Sequence, residues 1–231
     1  MPANLLYVGA PGVIAIGAPG GTNYAFGGAR TGIGGAAGAT TGLIGQLINW
    51  NGSVFGTSLT RAADPNALYV VVAGANDLRD ARNAFPGPTP ADEAARTAAA
   101  AATAGAVVDV VALLAQAGAR HFLMSNLPDL GLTPEAVALG VVPASSDVSD
   151  KFNLALGAED GGFEAAFLGL TGIDLDIRMF DFAGLVDAVY ADATSGGGAV
   201  YGITNVTSAC IEPAAPGAYF VPTATDADGN C

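Results

Sequence analysis

Cationic side chains are scarce in this chain: eight Lys and Arg stand against 21 Asp and Glu, a formal charge of −13 over 231 residues. That balance argues against nucleic acid, whose phosphates call for clustered Lys and Arg, and against an anionic membrane surface. Cysteine is nearly absent. Cys210 and Cys231 have no His or Cys around them at metal-ligand spacing, which argues against a zinc site. A Cys210–Cys231 disulfide would suit an exported protein, and two unpaired thiols are the alternative. There is one histidine, His121, and no Gly-x-Ser-x-Gly nucleophile elbow. No uninterrupted apolar run reaches the ~20 residues that cross a bilayer. The start, "MPANLLYVGAPG", lacks the basic region and cleavage site of a secretory leader, so export would require a leader upstream of Met1. What the chain does have is carbon: 51% of residues are hydrophobic and 13% charged, enough for one α/β domain with a substantial core.

Residues 1–45 are rich in Gly and Ala and read as loops around short extended pieces, with a short helix from Gly42 to Asn49. Asp64 and Pro65 turn the chain into a strand over Leu68–Ala73. After the Pro-rich loop "NAFPGPTP", Thr89 is a good N-cap, Pro90 fits the first helical position, and Asp92 completes a variant capping box. That helix runs to about Ala117, and Gly118 ends it. Arg120–Asn126 is the next strand. Asp147–Leu170 reads as helix broken at Gly161–Gly162, "IDLDIRMFDF" as an edge-like strand, and Phe182–Ala191 as a further helix. Strand and helix alternate, which is the pattern of a parallel sheet in a single α/β domain.

Chemistry concentrates at few places. "LYVVVAGANDLRD" carries Gly74, Ala75, Asn76 and Asp77 to the carboxyl end of its strand, where open α/β sheets bind ligands. A carboxamide there can donate to a developing oxyanion, worth about 3 kcal/mol in other enzymes; an Asx-type turn leaving the strand is the alternative. Asn23 and the glycines of "GGTNYAFGGARTG" form a second candidate, because adjacent glycines let backbone N–H groups approach a ligand. Gly32, Gly34 and Ala37 match a lone dinucleotide pattern that lacks the required strand and helix, and the match is rejected. Asp226, Asp228 and Gly229 resemble the start of a calcium loop without its remaining ligands and read as a turn. Asn205-Val206-Thr207 is a glycosylation sequon. His121 and Ser125 fall on one side of a strand, where a structural histidine is the better reading than a catalytic pair.

Taken in order, "GGTNYAFGGARTG", "LYVVVAGANDLRDA", "GARHFLMSNLPDLGLTP", "KFNLAL" and "YGITNVTSAC" resemble the GDSL-type lipases and esterases, also called SGNH hydrolases, over roughly residues 20–210. The resemblance implies a three-layer α/β/α sandwich, flavodoxin-like, on a five-stranded parallel sheet. It implies serine-dependent hydrolysis of carboxylic esters without a cofactor or metal, in a secreted or cell-surface protein acting on small-molecule, lipid or glycan esters. Carried across residue by residue, it places the oxyanion-hole Asn on Asn76 and the oxyanion-hole Gly on Gly28, with Gly27 the alternative.

Two carry-overs fail. The chain contains no Gly-Asp-Ser block for the nucleophile and no Asp-x-x-His block for the base. The first catalytic strand and the C-terminal catalytic loop are therefore expected outside these 231 residues, although Leu5–Ile16 is a weaker candidate to replace part of that strand. Since that strand is central in the family's sheet, its loss should expose an apolar edge and make the chain aggregation-prone. As given, the chain is expected to be inactive. The alternative is a non-catalytic module that keeps the cleft for binding acylated glycans or lipids.

Overall fold

A computed structural model describes residues 7–9, 13–15, 22–35, 41–208, 211–212 and 221–222. The elements run β1 (Tyr7–Gly9), β2 (Val13–Ala15), α1 (Leu43–Asn51), β3 (Leu68–Val71), α2 (Ala75–Ala84), α3 (Pro90–Gln116) and β4 (His121–Ser125). They continue with α4 (Pro134–Ala138), α5 (Val142–Thr171), β5 (Asp176–Phe180), α6 (Phe182–Ser195), β6 (Ile211–Glu212) and β7 (Val221–Pro222). Strands β3, β4 and β5 form a parallel sheet in chain order, with Leu68, His121 and Asp176 in register. β1–β2 and β6–β7 are separate antiparallel pairs. This is the α/β architecture with a parallel sheet that the alternation implies, with three parallel strands among the described residues.

The core lies under one face of that sheet. Strand alternation turns Tyr69, Val71, Phe122, Met124 and Ile177 to this side, and they join Ala100, Ala104, Val107 and Val111 of α3 and Phe152 and Leu156 of α5. The rings of Tyr69 and Phe122 meet at 5.8 Å between centroids. α3 packs along α5, and small residues at Ala100 and Ala104 keep the two helices close. By length and composition α3 could also cross a membrane, but here half of its most apolar stretch is buried in this packing. Its start matches the expectation: Thr89 accepts from the Asp92 amide at 3.1 Å, with Pro90 following.

Two features differ from the sequence reading, and a third concerns the edge of the sheet. α2 was not anticipated, and it puts Asn76 in the first turn of a helix rather than at a bare strand tip. α5 starts at Val142 and runs unbroken through Gly161 and Gly162. Each glycine costs a helix about 1 kcal/mol, and packing along α3 outweighs that. Finally, β3 is the outer strand: among the described residues, nothing pairs with the side of it that faces away from β4. On its second face Leu68, Val70 and Val72 are 60%, 61% and 53% exposed. Among the described residues β3 is thus an outer strand with an exposed apolar face.

Buried cations brace the helices. Arg82, 1% exposed, pairs with Glu135 of α4 and donates to Ser145 of α5 at 3.1 Å. Arg96 joins α3 to α5 through Asp147 at 2.5 Å and also donates to the carbonyls of Phe85 and Gly87.

Candidate active site

The loop of residues 22–35 lies against α2 through three consecutive residues. Asn76 donates its side-chain N–H to the Ala29 carbonyl at 2.9 Å. Arg30 forks onto Asp80, with Nε to Oδ2 at 2.5 Å and Nη2 to Oδ1 at 3.1 Å. Thr31 gives both its backbone N–H, at 3.0 and 3.1 Å, and its hydroxyl, at 2.8 Å, to the Asp77 carboxylate. The two segments singled out in the sequence are therefore brought together, although 47 residues separate Ala29 from Asn76.

Local chemistry explains the arrangement. Asp77 and Asp80 are three apart on a helix and share a face, so one short helix offers two carboxylates to an Arg-Thr pair. The Arg30 guanidinium bonded to Asp80 holds that carboxyl below the usual carboxylate range, partly opposed by burial. The same loop crosses the start of α1, whose Leu43 and Ile44 amides donate to the carbonyls of Arg30 and Gly32 at 2.7 and 3.1 Å. Those helix-terminal donors, otherwise unpaired, thus fix the loop from its other side.

Gly28 sits immediately before the bonded stretch with φ of +75°, a conformation that favours glycine. Gly27 has no positive φ and open space where a side chain would go. Of the two, Gly28 is the position that needs its residue type. Asn76 stands in the first turn of α2, next to the positive end of the helix dipole. One of its two amide hydrogens is used on Ala29. Backbone and carboxamide donors at the carboxyl end of a parallel sheet are suited to holding an oxygen that gains negative charge.

The other sequence candidates fare differently. Asn23 accepts from the Ala25 amide at 3.0 Å, a local turn. His121 is exposed at the amino end of β4, the middle strand, beside Asp176 (3.4 Å). Ser125 lies four residues along the same strand, about 13 Å away at the strand rise, so the two form no catalytic pair. The Ser125 hydroxyl is buried without a hydrogen-bond partner among the described residues. Asn205 accepts from the Thr207 and Ser208 amides, an Asx turn at the sequon. Cys210, Cys231, Ala37, Asp226, Asp228 and Gly229 lie outside the described residues, and among the described residues no cluster of His, Cys, Asp and Glu could hold a metal.

Sequence reasoning missed the two clamps, Thr31–Asp77 and Arg30–Asp80. The available signal was charge: "GGART" and "NDLRD" present opposite charges at helical spacing, which becomes visible only once α2 is recognised.

No protein-family model matches the chain. A stretch of 109 residues is 38% identical to an "Uncharacterized protein in trpE-trpG intergenic region" of Pseudomonas putida. The match covers 47% of this chain and spans 16% of the length of that protein.

Proposed function

We propose that this chain is the central part of a serine-type carboxylic ester hydrolase of the GDSL (SGNH) kind. The observation that supports the reading best is the Asn76–Ala29 hydrogen bond, because it puts the carboxamide beside the Gly28 turn at the carboxyl end of the sheet. In this reading a serine alkoxide adds to the ester carbonyl, and the Gly28 N–H and Asn76 Nδ2–H hold the oxyanion of the tetrahedral intermediate. Histidine takes the serine proton and returns it to the leaving alcohol. Asp77 acts one step away by fixing Thr31, and with it the loop that carries Gly28. The serine and histidine belong to segments outside these 231 residues, in a secreted or cell-surface protein. The open side of β3 supports this, since a strand from such a segment has a place to add there.

The test begins with the DNA flanking this reading frame: a Gly-Asp-Ser block upstream and an Asp-x-x-His block downstream are expected. The longer protein should cleave p-nitrophenyl butyrate, and Asn76→Ala should lower kcat about 100- to 1000-fold. Turnover by the 231-residue chain alone, abolished by Asn76→Ala, would refute the external nucleophile. A longer protein that binds esters without cleaving them would make this a binding module.

A further inference from the structure

A cleft of about 310 Å³ opens between the segment after β4, the middle of α6 and Val206 and Ser208. Leu130, Leu132, Pro134, Val186, Val189 and Val206 supply most of its wall, all half-buried. Two of its four polar members, Asp129 and Thr133, are already engaged. Asp129 accepts from the Gly131 amide at 2.6 Å and from the Ser146 hydroxyl at 2.9 Å. Thr133 donates its hydroxyl to the Leu130 carbonyl at 2.6 Å and accepts from the Ala136 amide at 3.2 Å. An incoming ligand therefore meets carbon, with the Tyr190 hydroxyl among the few polar groups left at the wall.

Position adds to the argument. The cleft is built on the chain leaving the carboxyl ends of β4 and β5, and Asn76 follows the carboxyl end of β3, so both lie at one end of the sheet. α4, whose first residue Pro134 lines the cleft, is bonded to α2 through Arg79 and Arg82 on Glu135. The cleft and Asn76 are thus held in one frame. Its volume is near the lower end for small-molecule sites, ~300–1,000 Å³, too small for a long lipid tail.

We propose that this cleft takes the acyl chain of the substrate, an unbranched aliphatic chain of short to medium length. The assignment of the chain as a substrate's acyl part rests on the ester-hydrolase reading; the binding of an aliphatic chain does not. The test is a titration of the 231-residue chain with octanoate and with acetate, followed by saturation-transfer NMR. Octanoate should bind saturably and acetate should not. Val189→Trp, which fills the cleft, should weaken octanoate at least tenfold, and Val186→Gln, which makes the wall polar without adding much bulk, should do the same if the Trp variant fails to fold. Equal response to acetate and octanoate, or octanoate binding untouched by a folded variant, would overturn the proposal. Octanoate binding without ester cleavage by the longer protein would keep the cleft and refute the hydrolase. Cleavage at a rate indifferent to acyl length and to Val189→Trp would keep the hydrolase and refute the cleft.

Discussion

At the scale of single residues, the candidate site rests on a few atoms whose removal gives distinct results. Gly74 joins β3 to α2 with φ of +119°, and a Cβ there would stand 3.0 Å from Phe152 and 3.1 Å from Thr103. Gly74→Ala combines a disfavoured backbone with overpacking, so a loss of at least ~2 kcal/mol in chemical denaturation is expected. Asp77→Asn keeps the shape but replaces an anionic acceptor of the Thr31 N–H and hydroxyl. It should lower the melting temperature and, in an ester-cleaving longer protein, reduce kcat more than KM, because the Gly28 turn loses its support. Ser125→Ala is the contrasting case. Ser125 is 6% exposed and its buried hydroxyl has no partner among the described residues, so its removal should leave stability unchanged or slightly raised; a loss above about 1 kcal/mol would reveal a partner. The segments carrying Gly28 and Asn76 were legible as candidates from their residues, and the structure brings the two segments together. Asp77 as a clamp was not legible, because its partner Thr31 lies 46 residues away and only the fold brings them together.

At the scale of elements, long periodic helices were readable and the short amphipathic one was not. α3 announced itself through Thr89, Pro90 and its valines, and the structure agrees to within a residue. α2 has only ten residues and a polar composition, "ANDLRDARNA", whose buried side is Leu78, Ala81 and an arginine. An arginine as a core residue is contrary to patterning, and it is tolerated because Glu135 and Ser145 satisfy it. That pairing has a pH signature. Hydrogen bonds from Arg79 and then Arg82 hold Glu135 below the usual carboxylate range despite partial burial, and Arg30 does the same for Asp80. A carboxyl depressed on folding stabilises the fold above its unfolded pKa of about 4 and loses that contribution as pH falls through the depressed value. Thermal melts should therefore drop between pH ~5 and ~2. Glu135→Gln should start from a lower melting temperature at neutral pH and show a shallower fall; an unchanged slope would show that other carboxyls carry the acid sensitivity.

At the scale of the whole molecule, the two edges of the sheet are unlike. β5 ends the sheet with Asp176 and Arg178 in its strand, charges that discourage pairing with another chain. β3 ends it with Leu68, Tyr69, Val70 and Val71 and no charge at all. The 231-residue chain should therefore self-associate at micromolar concentration in light scattering, and Val70→Lys should keep it monomeric; a monomeric parent would mean that another part of the chain covers this edge. The parallel sheet was legible from the alternation of strand and helix, whereas helix register and the apolar cleft depended on contacts that no local pattern encodes. One consequence of the topology concerns how the molecule is made. Because β3, β4 and β5 stand in space in the order in which they occur in sequence, each strand leaving the ribosome finds its neighbour already synthesised. The sheet can grow vectorially, one strand at a time. A strand added from an upstream segment would seed that growth, since it would be waiting beside β3 before β4 exists.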